Sequence, residues 1–497
     1  MKQPNIIFIL SDDLSYADVG CYGQERIKTP NIDRLASQGM RFTQAYAGAS
    51  ICAPSRSCLI TGKHLGHARV REHGQRLKDG GSYQESLRPE DVTFGDIMKK
   101  AGYTTAAIGK WGVGIPGTLG VPYLRGFDCS YGFYDQIRAH SFYPEYVWRN
   151  DKPVILHGNR GFDMTRLYKS SSRHWSKEGE DPDRNRYDGS GRLLPQGVAE
   201  PSKAQNTYDL FEAEALEFIE KQGDQPFFLY LAFQNPHGPL IVPELAPYTD
   251  ADWPSQRHKE WGAIVTRMDT GIGRILDLLD KKGMTGDTVV FFASDNGYSC
   301  WGYFGMGRNE EVEFFDNKGP FRGSKFTLDG EAGIRVPLIV RWPGKIEAGS
   351  ETDQIVAFWD VLPTLADLGD TTPNPDTDGI SFVPTLLGSD QPQHDYLYWE
   401  QNHQQAARIG QWKAFRVRPD QPTQLFDLTN DIGEHNDVAG KHHDLVARFE
   451  TIFTEARSDS DVFINPGESD EIHARRLKGL SANGYRADNP YHLKWIE

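Results

Sequence analysis

Cys52 opens the segment of this chain with the most distinctive chemistry, a Cys-Ala-Pro-Ser-Arg run that ends at Arg56. Pro54 suits the first turn of a helix, because its fixed φ and missing N–H cost nothing there. The run therefore predicts a helix that carries Cys52 at its positive N-terminal end, with Arg56 on the same face. An anion there could meet helix N–H groups and a guanidinium together. The alternative interpretation is a buried cysteine near a helix cap.

Two polar pairs elsewhere in the chain could hold a metal ion. Asp12 and Asp13 follow one continuous apolar run, and Asp295 and Asn296 follow another. Their side chains offer the oxygen ligands that Ca²⁺ and Mg²⁺ prefer. Taken singly, each pair is also typical of a strand end or a helix cap.

The elements that would position these residues are buried strands alternating with helices. Strand-like apolar runs cover residues 5–10, 104–108, 227–233 and 288–293, and helical patterns that close with glycine cover residues 31–38, 93–101, 209–222 and 260–282. Continuous apolar runs of this length predict strands covered on both faces, and hence an open α/β sheet with a mostly parallel order. Ligands of such sheets bind beyond the carboxyl ends of the strands, where the sequence places Asp12, Lys110, His237 and Asp295.

Two regions depart from this alternation. Residues 115–203 are rich in Tyr, Arg, His, Gly and Asp with little periodicity, and predict a long insertion over one end of the sheet. Beyond about residue 391 the pattern becomes shorter strands (396–400, 407–409, 412–417 and 424–427) and a helix at 441–456. We therefore expect a large domain at 1–390 and a small α+β subdomain with an antiparallel sheet at 391–497.

Composition excludes several classes of protein. The formal net charge is −15, which argues against a nucleic-acid or anionic-membrane partner, and no apolar run approaches the length of a membrane helix. Five scattered cysteines (Cys21, Cys52, Cys58, Cys129 and Cys300) do not predict a disulfide framework or a zinc site. No signal peptide follows Met1, so we expect either a cytoplasmic protein or one whose leader has been removed.

Taken together, the motifs resemble those of the type I sulfatases. Besides Cys52–Arg56 and the two polar pairs, family landmarks occur in family order at Thr29–Ala36, Leu59–Gly62, Gly109–Trp111, Pro236–His237, Arg322–Lys325, Gly333–Pro337, Ala407–Lys413 and Leu425–Asp431. The resemblance spans roughly residues 4–455. It implies an alkaline-phosphatase-like α/β fold and a sulfuric ester hydrolase.

The resemblance also implies a cofactor and a modified residue. In that family a separate maturation enzyme oxidises the cysteine to Cα-formylglycine, whose hydrated aldehyde is the nucleophile. One divalent ion, usually calcium, is surrounded by residues that here would be Asp12, Asp13, Cys52, Asp295 and Asn296. A metal-bound hydrate would provide a nucleophile of lowered pKa for attack on sulfur.

Further roles are implied for four basic residues. Arg56 and Lys110 would steady the formylglycine hydrate and the sulfate, and Lys325 would bind sulfate oxygens. His237 would protonate the departing sugar oxygen. Without the resemblance, each of these residues would be interpreted as a solvated charge or, for His237, a hydrogen-bonded core imidazole.

One departure from the family concerns Gly112, which follows Gly-Lys-Trp where the family often has histidine. A subset of carbohydrate sulfatases that act on galactose-type sugars of marine galactans such as carrageenan is similar to this chain in carrying Gly-Lys-Trp-Gly and a segment like Gln136–Pro144. His140 in that segment either replaces the missing histidine or is an ordinary loop residue. We expect the insertion to overhang the site, with Arg138 and His140 binding substrate and Tyr143 and Trp148 stacking on sugar rings.

These observations favour a sulfatase that hydrolyses sulfate esters of a galactose-type oligo- or polysaccharide. Two alternatives remain at this point. One is a phosphodiesterase or phosphonate monoester hydrolase of the same superfamily, and the other is a non-catalytic protein that binds sulfated glycans with Cys52 unmodified.

Overall fold

The computed structural model describes residues 3–73, 75–76, 82–83, 85–136, 138–160, 186–187, 193–194, 197–238, 240–299 and 314–460. The strands are β1 Asn5–Asp12, β2 Met40–Phe42, β3 Ala45–Tyr46, β4 Gln75–Arg76, β5 Ser82–Tyr83, β6 Thr104–Lys110, β7 Cys129–Phe133, β8 Tyr146–Arg149, β9 Lys152–Ile155, β10 Arg186–Tyr187, β11 Leu193–Leu194, β12 Phe227–Pro236, β13 Thr288–Ser294, β14 Leu338–Arg341, β15 Ser350–Thr352, β16 Val356–Ala357, β17 Leu397–Gln401, β18 Gln404–Ile409, β19 Trp412–Arg416 and β20 Gln424–Asp427. The main α-helices are α1 Pro30–Ser37, α2 Cys52–Thr61, α3 Phe94–Lys100, α4 Thr207–Glu220, α5 Gln256–Lys281, α6 Val361–Leu368, α7 Val383–Leu386 and α8 His443–Glu455.

A ten-stranded sheet forms the centre of the protein, in the order β15-β2-β14-β13-β1-β12-β6-β7-β8-β9. The pairings among β13, β1, β12, β6 and β7 are all parallel. Antiparallel pairings occur only towards the two edges, at β13–β14, β14–β2, β7–β8 and β8–β9. The predicted large, mostly parallel sheet is confirmed.

Helices cover both faces of this sheet, as the continuous apolar strands require. On one face Ile7 and Ile9 of β1 belong to a core that includes residues of α4 and α5. On the other face Ile6 and Phe8 pack in a core with residues of α2, α3 and α6. Alternate residues of one strand thus enter two different cores, because successive side chains point to opposite faces.

The described part of the predicted insertion at 115–203 is more regular than its sequence suggests. Strands β7, β8 and β9 lie within it and extend the central sheet as an edge of antiparallel pairs. Tyr131, Tyr146 and Trp148 are buried there. Short strands with mixed aromatic, Gly and Arg residues carry no clear alternation, so the pattern concealed them.

The C-terminal region contains a separate four-stranded antiparallel sheet, β17-β18-β19-β20, as predicted. One face packs on α8 through a core that includes Tyr398 and Phe449. The other face packs on the larger part of the protein, where Trp399 joins a core with Tyr46 and Trp359. The predicted subdomain extends to residue 497, but residues 461–497 lie outside the described part of the chain.

Two expectations from composition can be compared with the described residues. None of the helices described is long and apolar enough to cross a membrane. The four described cysteines, Cys21, Cys52, Cys58 and Cys129, are free thiols, and Cys300 lies outside the described residues.

Candidate active site

The parallel strands β1 and β13 deliver the two polar pairs to one edge of the sheet. Ser11 is in register with Ser294, and the Asp295 backbone N–H donates to the Ser11 carbonyl at 3.0 Å. The Asp13 N–H in turn donates to Asp295 Oδ1 at 3.2 Å. Asp13 has a φ of +65°, the left-handed conformation that a residue with a side chain adopts only at some cost in free energy.

Strands β12 and β6 bring two basic residues to the same edge. Asp12 is in register with Pro236, so His237 follows directly beside the end of β1. Lys110 ends β6, which pairs with β12 on the other side. The carboxyl ends of four neighbouring strands therefore meet, as expected for an open α/β sheet.

Helix α2 begins at Cys52 and places its thiol against these strand ends. The whole helix is buried, and Gly62 ends it in the left-handed conformation with its N–H on the Cys58 carbonyl. Cys52 Sγ lies 3.2 Å from Asp12 Oδ1 and 3.8 Å from Asp13 Oδ1. It also lies 3.2 Å from Lys325 Nζ. The predicted position of Cys52 at a helix N-terminus beside the polar pairs is what the structure has.

Arg56 lies one turn further along α2 and faces the same site. Its Nε and Nη2 both lie 2.8 Å from Asp295 Oδ2, and its Nη1 donates to the Lys110 carbonyl at 2.5 Å. The side chain is completely buried. Arg56 therefore ties α2 to the ends of β13 and β6 and neutralises Asp295.

Two lysines pair with the other carboxylates. Lys110 Nζ is 2.6 Å from Asp12 Oδ2, and Lys325 Nζ is 2.5 Å from Asp13 Oδ1. Burial opposes ionisation of Asp12, but the charge of Lys110 and of other cations holds its pKa well below the usual value. We call Asp12, Asp13, Cys52, Arg56, Lys110, Asp295 and Lys325 the active-site cluster.

The Cys52 thiol is held in its neutral form by this environment. Burial, followed by the negative charges of Asp12 and Asp295, raises its pKa well above the usual value. Because the thiolate is the nucleophilic form of cysteine, an unmodified Cys52 is a poor nucleophile here. The side chain is well placed for chemistry but is not activated as a thiol.

The residues present fit a divalent cation. Asn296 Nδ2 donates to Asp13 Oδ1 at 2.8 Å, whereas its buried Oδ1 has no hydrogen-bond partner among the described residues. Burial, and then the Asp12 carboxylate, raise the pKa of Asp295 to about 7, although Arg56 and Lys110 oppose the shift. Carboxylate and amide oxygens are the donors that calcium prefers, and a cation bound to them would favour the ionised form of Asp295.

His237 and His140 form a stacked pair next to the cluster. Their ring centroids are 4.1 Å apart with an interplanar angle of 5°. His237 Nδ1 is 2.5 Å from the Gly238 carbonyl, to which it donates, so Nε2 faces the site at 3.6 Å from Asp13 Oδ2. Burial lowers the pKa of His237 to about 4, although Asp13 and Asp12 oppose the shift. Both rings are partly exposed, unlike the carboxylates beneath them.

Gly112 stands where the family often has histidine, and other side chains lie close to the space that a side chain would need there. Gly112 has a φ of +83°, and a side chain there would meet Gln136 Oε1 at 3.1 Å and Arg56 Cδ at 3.2 Å. Gln136 Nε2 lies 3.3 Å from His140 Nε2. His140 therefore reaches the site from the insertion, although it is 28 positions away from Gly112 in the sequence.

The other residues predicted to bind substrate from the insertion are placed differently. Arg138 pairs with Glu145 at 3.6 Å and lies over the Tyr146 ring. The expectation that Tyr143 and Trp148 stack on sugar rings is wrong. Both are nearly buried, at 5% and 7% exposed, and each packs within an aromatic or aliphatic core.

Sequence reasoning missed His73 and the network that holds Lys325. His73 follows no recognisable motif, yet its imidazole feels the charges of Lys325, Lys110 and His237. The Lys325 N–H donates to the Tyr298 carbonyl, and the next N–H, of Phe326, donates to the Ser50 carbonyl at 3.1 Å. The Lys325 loop is thus joined to the segment just before Cys52.

The chain is similar in sequence to known sulfatases. A family model described as Sulfatase matches residues 4–371, and one described as N-sulphoglucosamine sulphohydrolase, C-terminal, matches residues 325–458. An N-acetylgalactosamine-6-O-sulfatase of Bacteroides thetaiotaomicron is 28% identical over 90% of this chain and 91% of its own length. The human N-acetylgalactosamine-6-sulfatase is 31% identical over 83% of this chain and 71% of its own length.

Solved structures of related enzymes have a similar fold. The crystal structure of Ps i-CgsB in complex with k-i-k-neocarrahexaose has a TM-score of 0.71 and 26% identity, and covers 98% of this chain and 100% of its own. A phosphonate monoester hydrolase of Agrobacterium radiobacter, at a TM-score of 0.62 and 20% identity over 91% of this chain and 95% of its own, shares the fold. The fold is that of the alkaline-phosphatase-like enzymes.

The family model covers well over half of the chain, including every residue of the active-site cluster. The sequence motifs, the strand ends and the helix N-terminus that meet at Cys52 lie within that match. The chain therefore belongs to the sulfatase family, close to its carbohydrate sulfatases, and is a sulfuric ester hydrolase.

Proposed function

We propose that this protein removes sulfate from a galactose-type sugar of a sulfated oligo- or polysaccharide, with Cys52 matured to formylglycine. The observation that carries the proposal is that the Cys52 sulfur lies 3.2 Å from both Asp12 Oδ1 and Lys325 Nζ. A nucleophile there is next to a carboxylate and to a cation that can meet a sulfate oxygen. A separate maturation enzyme would carry out the oxidation of Cys52.

The chemistry of formylglycine supplies what the buried thiol lacks, namely a hydrate hydroxyl able to attack sulfur. Around it, Lys325 and Lys110 meet the negative oxygens of the ester, and Arg56 fixes the start of α2. All three cations are nearly or fully buried, so their charges act with little screening by water. They provide most of the binding energy for the sulfate group.

The site proposed for one calcium ion consists of Asp12, Asp13, Asp295 and Asn296 together with residue 52. When bound, the ion supplies positive charge next to the nucleophile and lowers the pKa of its hydroxyl. The orphan Oδ1 of Asn296 and the raised pKa of Asp295 support this assignment.

His237 is assigned to the departing sugar oxygen. Its Nδ1 is used by the Gly238 carbonyl, so only Nε2 can give up a proton towards the site. The negative charge of a bound sulfate ester raises the pKa of the ring in the complex and favours the protonated form. His140 holds the plane of His237 by stacking, and Arg138 is assigned a weaker role at the margin of the sugar site.

The substrate assignment rests on relatives and on charge. One relative is named for N-acetylgalactosamine, and one solved neighbour was crystallised with a neocarrahexaose, an oligosaccharide of the carrageenan type. Both sugars are galacto-configured. In a protein of net charge −15, the buried cations of the active-site cluster provide a local site for one sulfate group of the substrate.

We also propose that residues 1–390 form the catalytic domain and residues 391–497 a C-terminal subdomain. The ten-stranded sheet and the four-stranded sheet share no strand, which supports the division. The loop with Lys325 lies between them: the Leu328 N–H donates to Gln404 Oε1 at 2.9 Å. The subdomain would then support the catalytic loop.

The test is sulfate release by protein produced with and without a formylglycine-generating enzyme. We expect turnover of sulfated galacto-oligosaccharides only when the peptide containing Cys52 has the mass of the aldehyde form. Chelation should abolish this turnover, and calcium should restore it. Turnover that is independent of the modification, or preference for a phosphonate monoester over every sulfate ester, would contradict the proposal.

A further inference from the structure

His73 lies at the end of a firmly anchored segment that follows α2. The His64 N–H donates to Asp378 Oδ2 at 2.9 Å. Arg71, which is 3% exposed, donates through Nε to the Ala68 carbonyl at 2.9 Å and through Nη2 to the Ser458 carbonyl at 3.1 Å. Two residues beyond Arg71, His73 therefore has a defined place.

The imidazole of His73 and the amino group of Lys325 both lie next to the Phe326 ring. It packs edge-on against Phe326, with ring centroids 6.0 Å apart. Lys325 Nζ lies 5.7 Å from the centroid of the same Phe326 ring and 2.5 Å from Asp13 Oδ1. His73 thus approaches the active-site cluster from the Lys325 side, whereas His237 and His140 follow β12 and β7.

One ring nitrogen of His73 is buried but lacks a hydrogen bond among the described residues. Its Nδ1 has no hydrogen-bond partner among the described residues. Other imidazoles close by use theirs: His64 Nδ1 accepts from the Gly66 N–H at 3.2 Å, and His237 Nδ1 meets the Gly238 carbonyl. Leaving such an atom unsatisfied costs about 1–3 kcal/mol, which a ligand can recover by bonding to it.

The charge around His73 indicates what kind of ligand group it suits. Burial, and then the positive charges of Lys325 and Lys110, lower its pKa well below the usual value. A neutral imidazole has one donor and one acceptor, which complements a hydroxyl group. A second sulfate would instead prefer a cation, and the cations of the active-site cluster are already close to the first.

We propose that His73 is a specificity-determining residue that hydrogen-bonds a hydroxyl group of the sugar whose sulfate is removed. The proposal rests on the carbohydrate sulfatase function proposed above. In the bound state the sulfate group contacts Lys325 and Lys110, and an adjacent ring hydroxyl contacts His73.

The test compares a sulfated sugar with p-nitrophenyl sulfate, which has no sugar hydroxyl. His73→Ala should lower kcat/KM for the sugar by about 10- to 100-fold, mainly through KM, as expected for one lost hydrogen bond. Turnover of p-nitrophenyl sulfate should stay within about threefold, and this same activity shows that the variant is folded. Deoxy sugars that lack one hydroxyl at a time identify the group. Removing the hydroxyl that bonds His73 should lower kcat/KM of the wild type by the same factor as His73→Ala does. The same change should not lower kcat/KM of His73→Ala any further.

Two variants control the interpretation. His73→Asn keeps a polar group near the position of Nδ1 and should recover part of the loss. His403→Ala removes an exposed histidine in the turn between β17 and β18 and should change neither substrate. Equal losses on both substrates, or no recovery in His73→Asn, would overturn the role of His73.

The outcome also separates this role from the function on which it rests. Sugar turnover that His73→Ala leaves unchanged would refute the role of His73 alone. Turnover of p-nitrophenyl sulfate with no turnover of any sulfated sugar would refute the carbohydrate substrate together with the role of His73.

Discussion

The active-site cluster and a second buried set of charges differ in whether protein groups enclose them on every side. The second set, Glu331, Lys413 and Glu434, lies between the two sheets, and we call it the interface cluster. Lys413 Nζ is 3.1 Å from Glu331 Oε1 and 2.9 Å from Glu434 Oε1, and the Glu331 N–H donates to Glu434 Oε2 at 2.8 Å. All three side chains are fully buried.

The surroundings of the two clusters explain their different uses. Glu331 also accepts from Tyr46 and lies 3.5 Å from Arg335, so protein groups close around the interface cluster. The active-site cluster instead borders two partly exposed histidines, His237 and His140, so it is open on one side. Buried charge that is enclosed by protein supports structure, whereas buried charge that is open on one side is suited to a ligand.

The sharpest test of this contrast is Cys52→Ala. We expect a loss of turnover of at least about 10⁴-fold, because the nucleophile is removed while the cations remain. The thermal midpoint should change little, since the Asp12–Lys110 and Asp13–Lys325 pairs are untouched. Sulfate release and a thermal unfolding curve measure both quantities. Activity within tenfold of the wild type would remove Cys52 from the nucleophile role.

Lys413→Met should instead reduce the stability of the protein. It leaves two buried carboxylates without their shared cation, and the free energy of unfolding should fall by about 3–5 kcal/mol. Denaturant titration measures the change, with Lys345→Met, an exposed lysine, as the control. A loss similar to that of the exposed control would mean that the interface cluster contributes little to stability.

His237→Ala should lower turnover of sugar sulfates by about 10²- to 10⁴-fold, the usual range for a lost general acid. Activated aryl sulfates should lose far less, since a phenolate leaves without needing a proton. Steady-state kinetics on one substrate of each type make the comparison. Equal losses on both would exclude His237 as the acid.

His140→Ala should cost about 10²-fold in kcat/KM on the preferred oligosaccharide, because His237 loses the ring that fixes its plane. The matched control is His157→Ala, an exposed histidine of the same insertion. We expect a lower kcat as well as a higher KM. Wild-type kinetics in His140→Ala would show that the stacked pair has no catalytic importance.

The smallest expected effect is a pH dependence of the interface cluster. Burial opposes ionisation of Glu331, but Lys413 and Arg335 outweigh it and lower its pKa to about 2. A carboxyl whose pKa is lower in the folded state stabilises the protein above its unfolded value, near pH 4.5, and loses that contribution as pH falls towards 2. The gap in unfolding free energy between the wild type and Glu331→Gln should therefore narrow over this range. A difference in unfolding free energy that stays constant with pH would contradict the lowered pKa of Glu331.

Sequence reasoning was most successful for long, strongly patterned elements. The predicted strands at 5–10 and 288–293 lie inside β1 and β13, and the C-terminal strand 424–427 matches β20. It failed for the three-residue strands β2 and β15 at the sheet edge and for β7 to β9 in the insertion. Short edge strands derive their stability from neighbours in the sheet, and that information is absent from their own residues.

The sequence by itself determined the chemistry that this protein can perform. Cys52, Arg56 and the two polar pairs could be recognised because helix N-termini and strand ends impose local residue patterns, and local patterns survive in a sequence. The open, mostly parallel sheet could also be anticipated, and with it the position of the site, since parallel strands with helical connections bring their carboxyl ends together.

Only the tertiary structure decided which distant side chains complete the site. It brought His140 onto His237, turned Tyr143 and Trp148 into core residues, and placed His73 beside Phe326. These contacts depend on how separate loops pack against one another, and no spacing in the chain encodes such packing. The physical reason is that burial and hydrogen-bond satisfaction belong to the assembled environment of a residue and not to its neighbours in sequence.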